Sequence, residues 1–137
     1  MRRASILAVA LAAALSGFLG GCSDSEPSAA ACDSLEAVEH TIANLRNANV
    51  SENGMATFTA GVEQLKSDLG QLAADAQDEF KNQVDSVRSA ADQLASTAQS
   101  AKADPTAANL SVVRSAYGDL RDAVVALGAS MQNACAN

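Results

Sequence analysis

Residues 104–135, DPTAANLSVVRSAYGDLRDAVVALGASMQNAC, decide the fold. Within them Leu110, Val113, Tyr117, Leu120, Val124, Leu127, Met131 and Ala134 recur at alternating spacings of three and four, seven intervals without an exception. That is the period of one apolar stripe along an α-helix, sustained too long for a strand. Asp104 as N-cap, with Pro105 at the first helical position, supplies the expected start. A helix of about 30 residues with a single apolar stripe must bury that stripe against other helices.

Reading back toward the N-terminus, the same alternation recurs. Val87, Ala91, Leu94, Ala98 and Ala101 make one seam, and Met55, Phe58, Val62, Leu65, Leu69, Leu72 and Ala76 make another. Between them the phase slips, because Ala76, Phe80 and Val84 are two successive steps of four. Such a stutter either relaxes one continuous helix or marks a turn. Asp75, Asp78 and Glu79 cluster there as acids do at a helix start, so we place a break near 75–79. The helix before it is expected to start at Ser51 as N-cap, with Val50 stapled onto Met55. A first helix is expected from Asp33, with Glu36 in a capping-box position, through Leu35, Val38, Ile42 and Leu45 to about Asn47–Asn49.

Four helices of about 15, 24, 24 and 30 residues joined by short loops predict an all-α, antiparallel four-helix up-down bundle. The alternative keeps residues 53–102 as one long central helix, with the first and last helices laid head to head along it. The bundle is preferred because a rod two helices thick buries little area per residue.

Composition agrees with one small domain. The 137 residues are 48% hydrophobic but only 3% aromatic, with no tryptophan and one histidine. Alanine carries much of the apolar fraction, so the core is thin per residue and leans on helix propensity and on covalent staples.

The N-terminus reads differently. Met1, Arg2 and Arg3 form a short basic segment, an apolar run follows from Ile6 to Leu15, and small residues lead to Cys22. This is the layout of a secretory signal peptide over residues 1–21. Leu19, Gly20, Gly21 and Cys22 resemble the lipobox of bacterial lipoproteins. In that family the cysteine takes a diacylglyceryl thioether, becomes the new N-terminus after cleavage and can be acylated again, for example by palmitate. An ordinary cleaved signal, with Cys22 a nearby thiol, is the alternative. The resemblance implies lipidation at Cys22 and attachment to the extracytoplasmic face of the cell membrane. Residues 23–31, polar and small with one proline, read as a flexible tether, so the lipidated N-terminus and tether span 22–31, ahead of a helical domain at 32–137. Ser23, in place of aspartate, resembles the residue that permits transfer to an outer membrane where the host has one.

Loss of residues 1–21 leaves 7 basic against 16 acidic side chains, a balance of −9. Such a chain repels phosphate, which makes nucleic acid a poor partner and leaves membrane attachment to the lipid. With Cys22 lipidated, Cys32 and Cys135 remain as an even pair in an oxidising compartment. A disulfide closing the bundle is the reading; metal binding by the pair is the alternative, and it lacks further ligands. Up-down topology brings both cysteines to one pole, although the rod alternative also allows them to meet.

Catalytic constellations are not assembled by this sequence. His40 falls opposite the apolar stripe, with Glu36 one turn before it, and no Glu-x-x-His pair of the di-iron kind occurs. No Ser-His-Asp or Cys-His set can form without a buried histidine. We therefore expect no enzyme and no cofactor. The expected function is a noncatalytic envelope lipoprotein with a structural or protein-interaction role; the alternative is a lipid-anchored carrier of a small molecule or metal. The mature part resembles small, Ala-rich helical lipoproteins of actinomycetes. Candidate partner-binding residues are Arg46, Asn47 and Asn49, in an Asn-rich loop expected at the pole far from the lipid.

Overall fold

The computed structural model describes residues 29–48, 50–51, 54–76 and 78–136, without the side chains of 133 and 134. Cys22, Asn49 and the signal segment lie outside the described residues. The chain forms α1 (Ala29–Asn47), α2 (Met55–Asp75), a single 3-10 turn (Asp78–Phe80), α3 (Lys81–Ala103) and α4 (Ala107–Cys135), with no strand among the described residues. The helices pack in chain order, α1 on α2, α2 on α3 and α3 on α4, and α4 returns to α1 along a looser seam. This is the antiparallel four-helix bundle. The phase slip at Ala76–Val84 is a turn and not a relaxed continuous helix.

All of the expected seam residues of α1, α2 and α3 are buried apart from Ala76, which is half-buried at the turn. Leu110 and Tyr117 of α4 are half-buried as well, while Val113, Leu120, Val124, Leu127 and Met131 are fully inside. On α3 the seam is mostly alanine: Ala91, Ala95, Ala98 and Ala101 lie against α2 and α4, and small side chains let helix backbones approach closely.

Helix boundaries differ from expectation at three places, each for a local reason. First, α1 begins at Ala29, so Asp33 lies inside the helix instead of capping it, and Ala31 is fully buried instead of belonging to a loose tether. Alanine is the strongest helix former, and Ala29–Ala31 extend the helix back past the point where an N-cap residue stands. Second, α2 starts at Met55 with Gly54 at its cap; the Ser51 carbonyl accepts from Gly54 and Met55 N–H groups at 3.0 and 3.1 Å, so Ser51 serves through its backbone. Third, α4 is capped by Thr106, whose hydroxyl accepts from the Asn109 N–H at 3.2 Å. Pro105 disfavours helical geometry in the residue before it. Asp104 is accordingly extended, at φ −140° and ψ 90°, and closes α3 instead of opening α4.

The bundle is tied by polar contacts between helices. Ser34 Oγ of α1 donates to Asp75 Oδ2 of α2 at 2.7 Å, and Thr41 Oγ1 donates to Asp68 Oδ2 at 2.6 Å. Both hydroxyl residues are buried and satisfied, as buried polar groups must be. The Ser34 hydroxyl, then the Gln71 amide, holds the Asp75 carboxyl below the ordinary aspartate value. Its contribution to folding is therefore present above the unfolded-state pKa and is lost as pH falls through the folded one.

Cys32 and Cys135 are bonded, with Cα atoms 5.5 Å apart across 103 positions of sequence. The start of α1, the end of α4 and the α2–α3 turn thus share one pole. The loop after α1 and the Asp104–Thr106 corner occupy the opposite, distal pole. Among the described residues no helix is long and apolar enough to cross a membrane.

Candidate interaction site at the distal pole

Arg46 and Asn47 close α1, both exposed, at the distal pole expected for them. Arg46 stands at the rim of a recess of about 280 Å³ shared with Leu45, Ala48, Val50, Phe58, Arg114 and Tyr117. Helix α1 supplies Leu45 and Arg46, α2 supplies Phe58, and α4 supplies Arg114 and Tyr117. The floor is apolar, since Leu45 and Phe58 are buried, and the rim is cationic.

Two hydrogen bonds fix the recess. Tyr117 donates its phenol hydrogen to the Ile42 carbonyl at 3.0 Å, joining α4 to α1. Arg114 Nη2 donates to the Val50 carbonyl at 3.1 Å and holds the loop against α4. Burial raises the Tyr117 pKa above that of a free phenol, and the nearby charges of Arg121 and Arg46 pull the other way. An apolar floor with guanidinium groups above it suits a carboxylate on an apolar stem, a rare property on so acidic a chain.

Tyr117→Phe is expected to cost about 1 kcal/mol, the net worth of one such bond. The sign of its pH dependence follows from the raised pKa: the folded phenol keeps its proton longer than the unfolded one. The wild-type advantage is full below the unfolded tyrosine pKa and declines as pH rises through the folded value. Urea titrations of both proteins at neutral and alkaline pH measure it.

Arg114 and Tyr117 were not legible as site residues. Tyr117 occupies a seam position and reads as core, and Arg114 acts on a carbonyl 64 positions away. His40 is exposed, and its Nδ1 lies 3.3 Å from the Asn44 amide instead of pairing with Glu36. Among the described residues no group of three or more His, Cys, Asp or Glu is placed to hold a metal ion. At the opposite pole an open groove of about 790 Å³ runs between α1 and α4, lined by Asp33, Glu36 and Glu39 on one side and Val125 and Gly128 on the other. Comparison of the chain with protein-family models, with curated proteins and with solved structures finds no match in any of the three.

Proposed function

We propose that this protein is a noncatalytic, lipid-anchored envelope protein that uses a disulfide-closed helical bundle as an interaction module. The observation that carries the reading is the ordered basic segment, apolar run and Leu19-Gly20-Gly21-Cys22 box at the head of the chain. The Cys32–Cys135 bond supports it, because disulfides persist in oxidising compartments outside the cytoplasm. Two or three acyl chains on Cys22 exceed what stable anchoring needs. Helix α1 begins at the disulfide pole, which leaves the distal recess and the bundle flanks for an envelope partner.

Replacing Cys22 with serine and fractionating the cells tests the anchor. The variant is expected to leave the membrane fraction and to lose the mass of the lipid; a membrane-bound variant of unchanged mature mass refutes it. The distal pole is tested separately, by replacing Arg46, Asn47 and Asn49 together with alanine. Arg46 and Asn47 are exposed at the end of α1, so helicity and melting are expected to change little while affinity capture of a partner is lost. Capture that survives the triple change removes this pole as the binding site.

A further inference from the structure

Charge is distributed unevenly along the seam between α1 and α4, the loosest of the bundle. Toward the disulfide, Asp33, Glu36 and Glu39 line it. Toward the distal pole, Arg46 and Arg114 line it, and Arg121 projects from the same flank of α4. Arg121 forms an ion pair with its sequence neighbour Asp122, with both side chains more than half exposed. Such pairs contribute little and exchange readily. Midway along the seam sits Val125, 64% exposed, beside the exposed Ala129.

The axial positions match in a way that one copy alone leaves unused. Levels are measured from the disulfide, which holds Cys32 and Cys135 together, at 1.5 Å per residue. Glu36 and Glu39 then lie at about 6 and 10 Å, Arg46 and Arg121 at about 21 Å, Asp33 near 2 Å and Arg114 near 31 Å. The inner set is centred at about 15 Å and the outer at about 17 Å, and Val125 lies within about one helical turn of both.

We propose that the α1–α4 face is a self-complementary interface, and that a second copy of this chain docks on it antiparallel about a two-fold axis through Val125. That operation lays the acidic half of one copy on the basic half of the other, twice, with the two valines in contact at the centre. A two-fold interface is isologous, so one patch must complement itself, and a seam of opposite charge at its two ends does so. Like-signed ends oppose the parallel arrangement. The overlapped face is roughly 30 by 20 Å, about 600 Å² per copy, at the low end of specific interfaces, so the pair is a reversible one. The proposal does not rest on lipidation.

The test uses the secreted chain carrying Cys22→Ser, so that no lipid contributes to association. Sedimentation equilibrium is expected to show a reversible dimer. Arg46→Glu with Arg121→Glu leaves Arg114 alone to face the acidic end of the partner copy and is expected to weaken dimerisation about tenfold or more. Adding Glu36→Arg and Glu39→Arg to the same chain exchanges the signs of the inner charges, with Asp33 and Arg114 unchanged, and restores much of the affinity; mixing the Arg46→Glu, Arg121→Glu chain with a separate Glu36→Arg, Glu39→Arg chain forms a one-to-one pair. Raising NaCl from about 0.1 to about 1 M, which shortens the screening length from ~10 to ~3 Å, weakens the wild-type dimer. A geometric arm guards against a charge variant that misfolds. Val125→Cys is expected to cross-link to itself on mild oxidation, whereas Val112→Cys, exposed about 140° around α4, is not. A protein monomeric at about 100 µM, above the range expected for an interface of this size, overturns the proposal. So does a dimer indifferent to the charge exchanges, or a Val112→Cys cross-link as fast as that of Val125→Cys.

Discussion

Removing the Cys32–Cys135 bond is expected to lower the stability of the bundle by on the order of 4 to 5 kcal/mol, the largest effect of any change to its core architecture. The bond spans 103 positions, nearly the whole folded domain, so its loss frees the unfolded chain from closing one very long loop. It also closes the α1–α4 seam, where packing between neighbouring helices is thinnest. The core offers little reserve, because much of the α3 seam is alanine. For a domain of this size the loss corresponds to a fall in Tm of about 20 °C or more. Thermal melts with and without reductant, and of the Cys32→Ala, Cys135→Ala variant, measure it. A fall of only a few degrees would mean that α1 and α4 are held by their side chains alone.

Phe58→Ala comes second, with an expected cost of about 3 to 5 kcal/mol. Phe58 is 0% exposed, the largest of the fully buried side chains, and it stands where α2 meets α1 near the distal pole. The neighbouring Leu45 already lies tight on α2, with its Cδ2 2.7 Å from where a Cβ on Gly61 would stand. Helices so closely apposed collapse little into the vacated space, so much of the cavity term remains. Val125→Ala is the contrast: with 64% of Val125 exposed, its effect on monomer stability stays within about 0.5 kcal/mol. Urea denaturation of both variants at a concentration below dimerisation gives the comparison.

Legibility in the sequence followed the range of the interactions. The seams of all four helices could be read because a stripe at three and four spacing is a local record of what is buried. The turn at 75–80 was legible for the same reason, as a slip in that record. Helix starts were less so. At Asp104-Pro105-Thr106 two cap placements satisfy the same residue preferences, and the choice depends on which residue the proline pushes out of helical geometry. The contacts of Ser34 with Asp75 and Thr41 with Asp68 left no trace, since each joins residues that are neighbours only once α1 lies on α2. Nothing near Thr41 distinguishes it from an exposed threonine. Arg114 belongs to the same class, its partner being a backbone carbonyl in a distant loop. The distal recess was therefore only half visible, through Arg46 and not through the α4 residues that complete it.

The bond between Cys32 and Cys135 also sets how the domain carries load. A pull delivered to the N-terminal end reaches Cys32 within the first turn of α1 and passes at once to the last turn of α4. Peeling α1 from its neighbours one turn at a time, the soft mode of an unbridged bundle, is blocked. The outer helices must instead shear together against α2 and α3, with the Ser34 and Thr41 hydrogen bonds resisting along the length of α1. Reduction converts this stiff element into one that unzips, so force applied at one end would distinguish the oxidised from the reduced protein even where both are folded at rest.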